Sequence, residues 1–149
     1  MPKRIIRPRA VHPTQGYVHG VLTHGGLLFV SGQVAKNAAD ESVGADNPEV
    51  QLVQVFENLK GVLAEAGGSF ADVVKINVYF TDRSQLLAYR KVRAQYMTSD
   101  DQAVTGMIVQ AMPNPAWLME IEIVADLGKP RRRRAAPAGR KPRRRTRRR

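Results

Sequence analysis

NPEVQLVQVFENLKGVLAEAGGSFADVVKINVYF, residues 47–80, reads as a helix followed at once by a strand. Asn47 suits an N-cap, Pro48 the first helical position, and Glu49 the positive end of the helix dipole. Leu52, Phe56, Leu59, Leu63 and Ala66 recur three and four residues apart and form one apolar stripe. Gly67 and Gly68 end the helix. Ser69, with Asp72 three residues later, matches a capping arrangement for one short turn. The period then changes from 3.6 to two. Val74, Ile76, Val78 and Phe80 face one way, and Val73, Lys75, Asn77 and Tyr79 the other.

Upstream, Pro2, Pro8 and Pro13 keep residues 1–15 extended and basic. Tyr17 to His24 and Leu27 to Val30 read as two strands joined at Gly25-Gly26, a hairpin. Downstream, a second helix starts at Asp82 or Ser84 and runs to about Met97. Ala103 to Ala111 is strand-like, and Met112-Pro113-Asn114-Pro115 is a turn. Trp117, Met119, Ile121 and Ile123 then alternate with Leu118, Glu120, Glu122 and Val124. The order β-β-α-β-α-β-β predicts an α+β domain with two helices on one face of a mixed sheet. The other face carries Glu and Lys among apolar residues. It is too apolar to stay wet and too polar for a sealed core, which suits an oligomer interface containing functional groups.

The 149-residue chain has a formal net charge of +11, but the charge is unevenly placed. Residues 129–149 hold thirteen positive charges and no negative ones; residues 1–128 hold eleven basic and thirteen acidic side chains, a net charge of −2. The reading is therefore a folded domain over 16–128 followed by a disordered Arg-rich tail over 129–149. Nonspecific nucleic acid or an anionic surface is a partner only for that tail, whose alternative is an extension without function. There is no cysteine, which removes disulfides, thiol catalysis and cysteine-bound metals and makes a cytoplasmic setting the default. No apolar stretch is long enough to span a membrane. His12, His19 and His24 read as surface or hairpin residues rather than metal ligands. Glu120 and Glu122 share a strand face, where one carboxylate can act as proton acceptor in a cleft.

Five blocks in one order carry a resemblance: Gly16-Tyr17, LLFVSGQ at 27–33, VFENLKGVLAEAG at 55–67, DVVKINVYF at 72–80 and MEIEIVA at 119–125. Together they resemble the Rid family (YjgF/YER057c/UK114), over residues 16–127. The resemblance implies a chorismate-mutase-like fold with a sheet of five to six strands. It also implies a homotrimer with ligand clefts between subunits, and an activity that hydrolyses reactive enamines and imines to 2-oxo acids and ammonia. No metal or organic cofactor is implied.

Residue by residue, the resemblance makes Glu120 the catalytic position. Tyr17, Ser31 and Gly32 become walls of a cleft for an imine, enamine or keto acid. It places Thr105 where active members carry the arginine that grips the substrate carboxylate. Met107 stands where many have cysteine, and Arg90 where many have asparagine. Two charge-assisted bonds at about 1.5–3 kcal/mol each correspond to roughly two to four decades in rate. The expectation is a small-metabolite-binding trimer with weak or absent deaminase activity. The alternatives are an active deaminase using Arg90 or Arg93 in place of the missing arginine, and a nucleic-acid-associated protein acting through its tail.

Overall fold

The computed structural model describes residues 3–128; the expected tail lies outside them. Strand β1 (Arg4–Ile6), β2 (Gly20–Leu22) and β3 (Leu27–Gln33) precede helix α1 (Pro48–Ala66). A single 3-10 turn over Phe70–Asp72 leads into β4 (Val73–Phe80), then α2 (Gln85–Tyr96), β5 (Ala103–Ile108) and β6 (Met119–Asp126). The six strands form one mixed sheet in the order β1-β2-β3-β6-β4-β5. Only β4 and β5 run parallel, because α2 is the crossover between them. No described helix is long and apolar enough to cross a membrane.

Helix α1 has the ends its sequence implies. Asn47 takes an extended conformation and its side chain accepts from the Val50 N–H, while Gly67 closes the helix at φ +91. The apolar stripe lies against the sheet, joined by Val55 and Val62. Ser69 and Asp72 form the reciprocal capping box. Helix α2 leans on α1 through Phe56, Tyr89 and Tyr96. It leaves the helix side of edge strand β5 open at Val104 and Ile108.

Three local features differ from the sequence reading. Residues 4–6, read from the sequence only as extended, are a sheet strand, with Ile6 and Val11 in the core. Ile5 pairs with Val21, which gives β2 a partner on its free edge. The first predicted strand shrinks to Gly20–Leu22. In β4 the register slips between Val73 and Lys75. That bulge turns Val73 inward, at 3% exposure, and Val74 outward, at 44%.

Two buried amides fix the connections that aim β6. Gln51 Nε2 donates to the Ala116 carbonyl at 2.7 Å, and its Oε1 accepts from Leu118 N–H at 2.9 Å. Asn58 Nδ2 donates to the Val34 and Lys36 carbonyls. A polar residue inside a helix face is tolerated here because each satisfies loop backbone that would otherwise lack partners.

Candidate functional site

The face of the sheet away from the helices is built in cross-strand rows. Tyr79 on β4 sits opposite Glu120 on β6 and Met107 on β5. One row along, Asn77 sits opposite Glu122 and Thr105. The next row holds Val124, Lys75 and Ala103, with Phe29 of β3 beyond Val124. Period-two alternation puts all of these side chains on one surface.

Glu120 occupies the end of this face beside the β3 bulge. The pairing of β3 with β6 skips between Val30 and Gln33, so Ser31 and Gly32 have no paired residue on β6, while the Ser31 N–H donates to the His19 carbonyl at 2.9 Å. Gly32 lies directly under the Glu120 side chain: a Cβ there would fall 1.7 Å from Oε1. Only glycine leaves the carboxylate its place. Burial pushes the Glu120 carboxyl above its usual range, and the charge of Glu122 on the same strand face adds to it. Ser31 Oγ donates to the Val18 carbonyl at 2.7 Å, which draws the 17–19 segment over this end. Tyr17 stands half-exposed there, edge-on to His19. Burial raises its hydroxyl pKa, and Glu120 contributes to the rise.

The sequence-derived site therefore divides. Tyr17, Ser31, Gly32 and Glu120 lie together. Thr105 and Met107 stand on edge strand β5, two strands away from Glu120 and on the order of 10 Å off at the usual strand spacing. Neither arginine of α2 joins them. Arg93 donates to Asp100 Oδ1, the Ser99 carbonyl and Gln102 Oε1. With Arg90 it lines a hollow bounded by Val104, on the helix side of the sheet. What touches Thr105 is Lys75: its Nζ donates to Oγ1 at 2.6 Å. Sequence reasoning placed Lys75 on this face but gave it no role. Its nearness to Thr105 depends on the parallel register of β4 and β5.

His12 and His19 are both buried, against the expectation of surface histidines, and their rings meet edge to face at 4.8 Å. Gln33 Nε2 donates to His19 Nδ1 at 3.3 Å and to the Ser31 carbonyl at 2.9 Å. With Nδ1 accepting, His19 carries its proton on Nε2 and donates to the His12 carbonyl. This network underlies the bulge that carries Ser31 and Gly32. Burial lowers both histidine pKa values below 6.5. Their folded forms prefer to be neutral. The stability they confer is thus complete above about pH 6.5 and is lost as pH falls through the lowered folded values. Glu120, with its raised value, contributes in the opposite sense: its share is present below about pH 4.5 and lost as pH rises through the folded value. The urea midpoint is expected to drop on acidification below about pH 6.5, and His19→Gln should flatten that drop. A midpoint indifferent to pH in the unmodified protein would contradict the buried-neutral assignment. Among the described residues, no group of three or more His, Asp or Glu side chains is placed to hold a metal.

The family model described as Endoribonuclease L-PSP matches residues 7–127. The chain belongs to this family, the Rid family. Among solved Rid structures, RidA from the Antarctic bacterium Psychrobacter is 30% identical, with a TM-score of 0.76, covering 83% of this chain and 98% of that one. YyfA of Yersinia pestis is 26% identical, TM-score 0.78, covering 84% and 99%. Escherichia coli TdcF, solved with bound serine, is 25% identical, TM-score 0.74, covering 83% and 98%. The two-helix, six-strand arrangement is the Rid, chorismate-mutase-like α+β fold.

Proposed function

We propose that this Rid protein is a homotrimer that binds a small metabolite in clefts between subunits, with Glu120 as proton acceptor and with 2-imino acid deamination weak or absent. The observation that carries the proposal is the division of the site. Tyr17, Gly32 and Glu120 form one half and the β5 edge residues Thr105 and Met107 the other, so a neighbouring copy is needed to bring two halves together. The open face supports this. It leaves Leu27, Phe29, Val74 and Met107 substantially exposed around charged side chains, a surface suited to burial against another copy. The serine bound by TdcF supports a ligand of amino-acid size. Thr105 accounts for the weak chemistry, because a neutral hydroxyl lacks the paired donors of a guanidinium. The setting is proposed to be cytoplasmic.

Light scattering on the full chain should give about three chain masses, and a chain ending at Gly128 should give the same assembly. A monomer at micromolar concentration would overturn the assembly and the shared clefts with it.

A second reading rests on the charge of residues 129–149. Thirteen cations per chain suit nonspecific nucleic-acid binding. Binding to duplex DNA should then weaken steeply with salt, log K falling by about 0.9 per phosphate contact per unit of log salt. Binding that survives removal of residues 129–149 would rule the tail out as its source.

A further inference from the structure

The open face carries a pair of opposite charges that do not neutralise one another. Lys75 and Glu122 line the same cleft of about 310 Å³, with Val21, Phe29, Ser31 and Asn77 around them. They sit on adjacent strands one row apart, a diagonal placement that long side chains can bridge. Yet among the described residues they form no salt bridge. Each is held back by a neutral partner. Lys75 Nζ is drawn toward β5 by Thr105 Oγ1 at 2.6 Å. Glu122 is held by Asn77 Nδ2 at 2.7 Å and by the Tyr79 hydroxyl at 2.9 Å, both donating to Oε1. That leaves Oε2 free to accept, and Lys75 two further N–H donors. Because Thr105 Oγ1 already accepts from the ammonium, its own proton is free to donate. Thr105 and Lys75 thus form a composite donor, with three protons available to one anion.

We propose that this cleft, extended past Lys75 to Thr105 on the adjoining edge strand, is a subsite for a small zwitterion of the 2-amino acid type, its carboxylate on Lys75 Nζ and Thr105 Oγ1 and its cationic nitrogen on Glu122 Oε2. The inference deepens the proposed function by naming the ligand class, and it rests on the open face being the ligand-bearing one. A simple anion meets the repulsion of Glu122, and a simple amine meets that of Lys75. Only a molecule carrying both charges a few ångströms apart answers both. Phe29, Val21 and Val124 supply an apolar wall for a short aliphatic side chain.

The test uses three matched probes on the full-length protein: L-2-aminobutanoate, butanoate and propylamine, each titrated by NMR. The amino acid should bind more tightly than either single-charge probe. Lys75→Met should weaken the amino acid and butanoate about 10- to 100-fold, the range of a lost charge-assisted bond. Glu122→Gln should weaken the amino acid while leaving butanoate equal or better. Thr105→Val, which keeps shape and removes the hydroxyl, should weaken both carboxylates if Lys75→Met proves unstable. The proposal is overturned if the unmodified protein binds none of the probes at tens of millimolar. It is also overturned if the amino acid binds no better than butanoate, or if binding is indifferent to Lys75 and Thr105. A monomeric protein, or one with fast deamination, would instead sink the proposed function while leaving this pattern of probe preferences readable.

Discussion

Ammonia release from freshly generated 2-iminobutanoate is expected to be about 10- to 100-fold faster with a Thr105→Arg, Lys75→Met double variant than with the unmodified protein. The reason is orientation more than charge. In the unmodified protein the carboxylate would be met by the Lys75 ammonium, a point charge on a flexible stem, backed by the Thr105 hydroxyl. A guanidinium presents two parallel donors in a fixed plane and holds the carboxylate in one attitude. A substrate that still swivels must be positioned again at the barrier. The expected deficit is smaller than the two to four decades read from the sequence, because Lys75 restores one charge-assisted donor. Both positions must change together: an arginine at 105 would press against Lys75 and be repelled. Glu120→Gln should depress the rate in either background, since it removes the proposed proton acceptor. If the unmodified protein already matches the double variant, Lys75 and Thr105 orient substrate as well as a guanidinium does. The assignment of weak activity would then be wrong.

The elements whose signals are local were legible in the sequence. Asn47, Pro48 and the Gly67-Gly68 pair bounded α1 to the residue, because caps report local backbone geometry. The alternation from Met119 onward placed Glu120 and Glu122 on one face, as β6 shows. Features that depend on pairing were not legible. Arg4–Ile6 is too short to show a period, and it is a strand only because β2 offers an edge. The slip after Val73 reverses two side chains that strict alternation had placed the other way. His19 looks like a surface residue until Gln33 and the His12 carbonyl are seen to satisfy both of its ring nitrogens, and His12 until its ring is seen packed against His19 with Nδ1 on the Pro13 carbonyl. Lys75 and Thr105 lie thirty residues apart, and their contact follows from the register that the α2 crossover imposes.

Phe56→Ala is expected to cost about 3–5 kcal/mol, the usual range for emptying a buried aromatic site. Phe56 is 1% exposed and stacks on Tyr96 at 5.0 Å between ring centroids, with planes 12° apart. It also meets Phe70 at 5.8 Å and Tyr89 at 6.4 Å, while Tyr89 in turn packs edge-on against Phe80 of β4. These rings connect α1, the 3-10 turn, α2 and the sheet through one side chain, and no single neighbour can move in without breaking another contact. A domain of ordinary stability, about 5–15 kcal/mol, has little left after such a loss. Urea unfolding should show the midpoint collapse for Phe56→Ala. Phe56→Leu should recover part of it, and Leu87→Ala, at a position 75% exposed, should change stability by less than about 0.5 kcal/mol. The functional consequence should appear before global unfolding. Helix α2 is the crossover into β5, and β5 carries Thr105 and Met107. Loosening α2 frees that edge strand, so ligand binding should fail in mild urea while the β3–β6 ladder still holds. Equal loss of binding and of global structure at every urea concentration would show instead that β5 and α2 are not a separable unit.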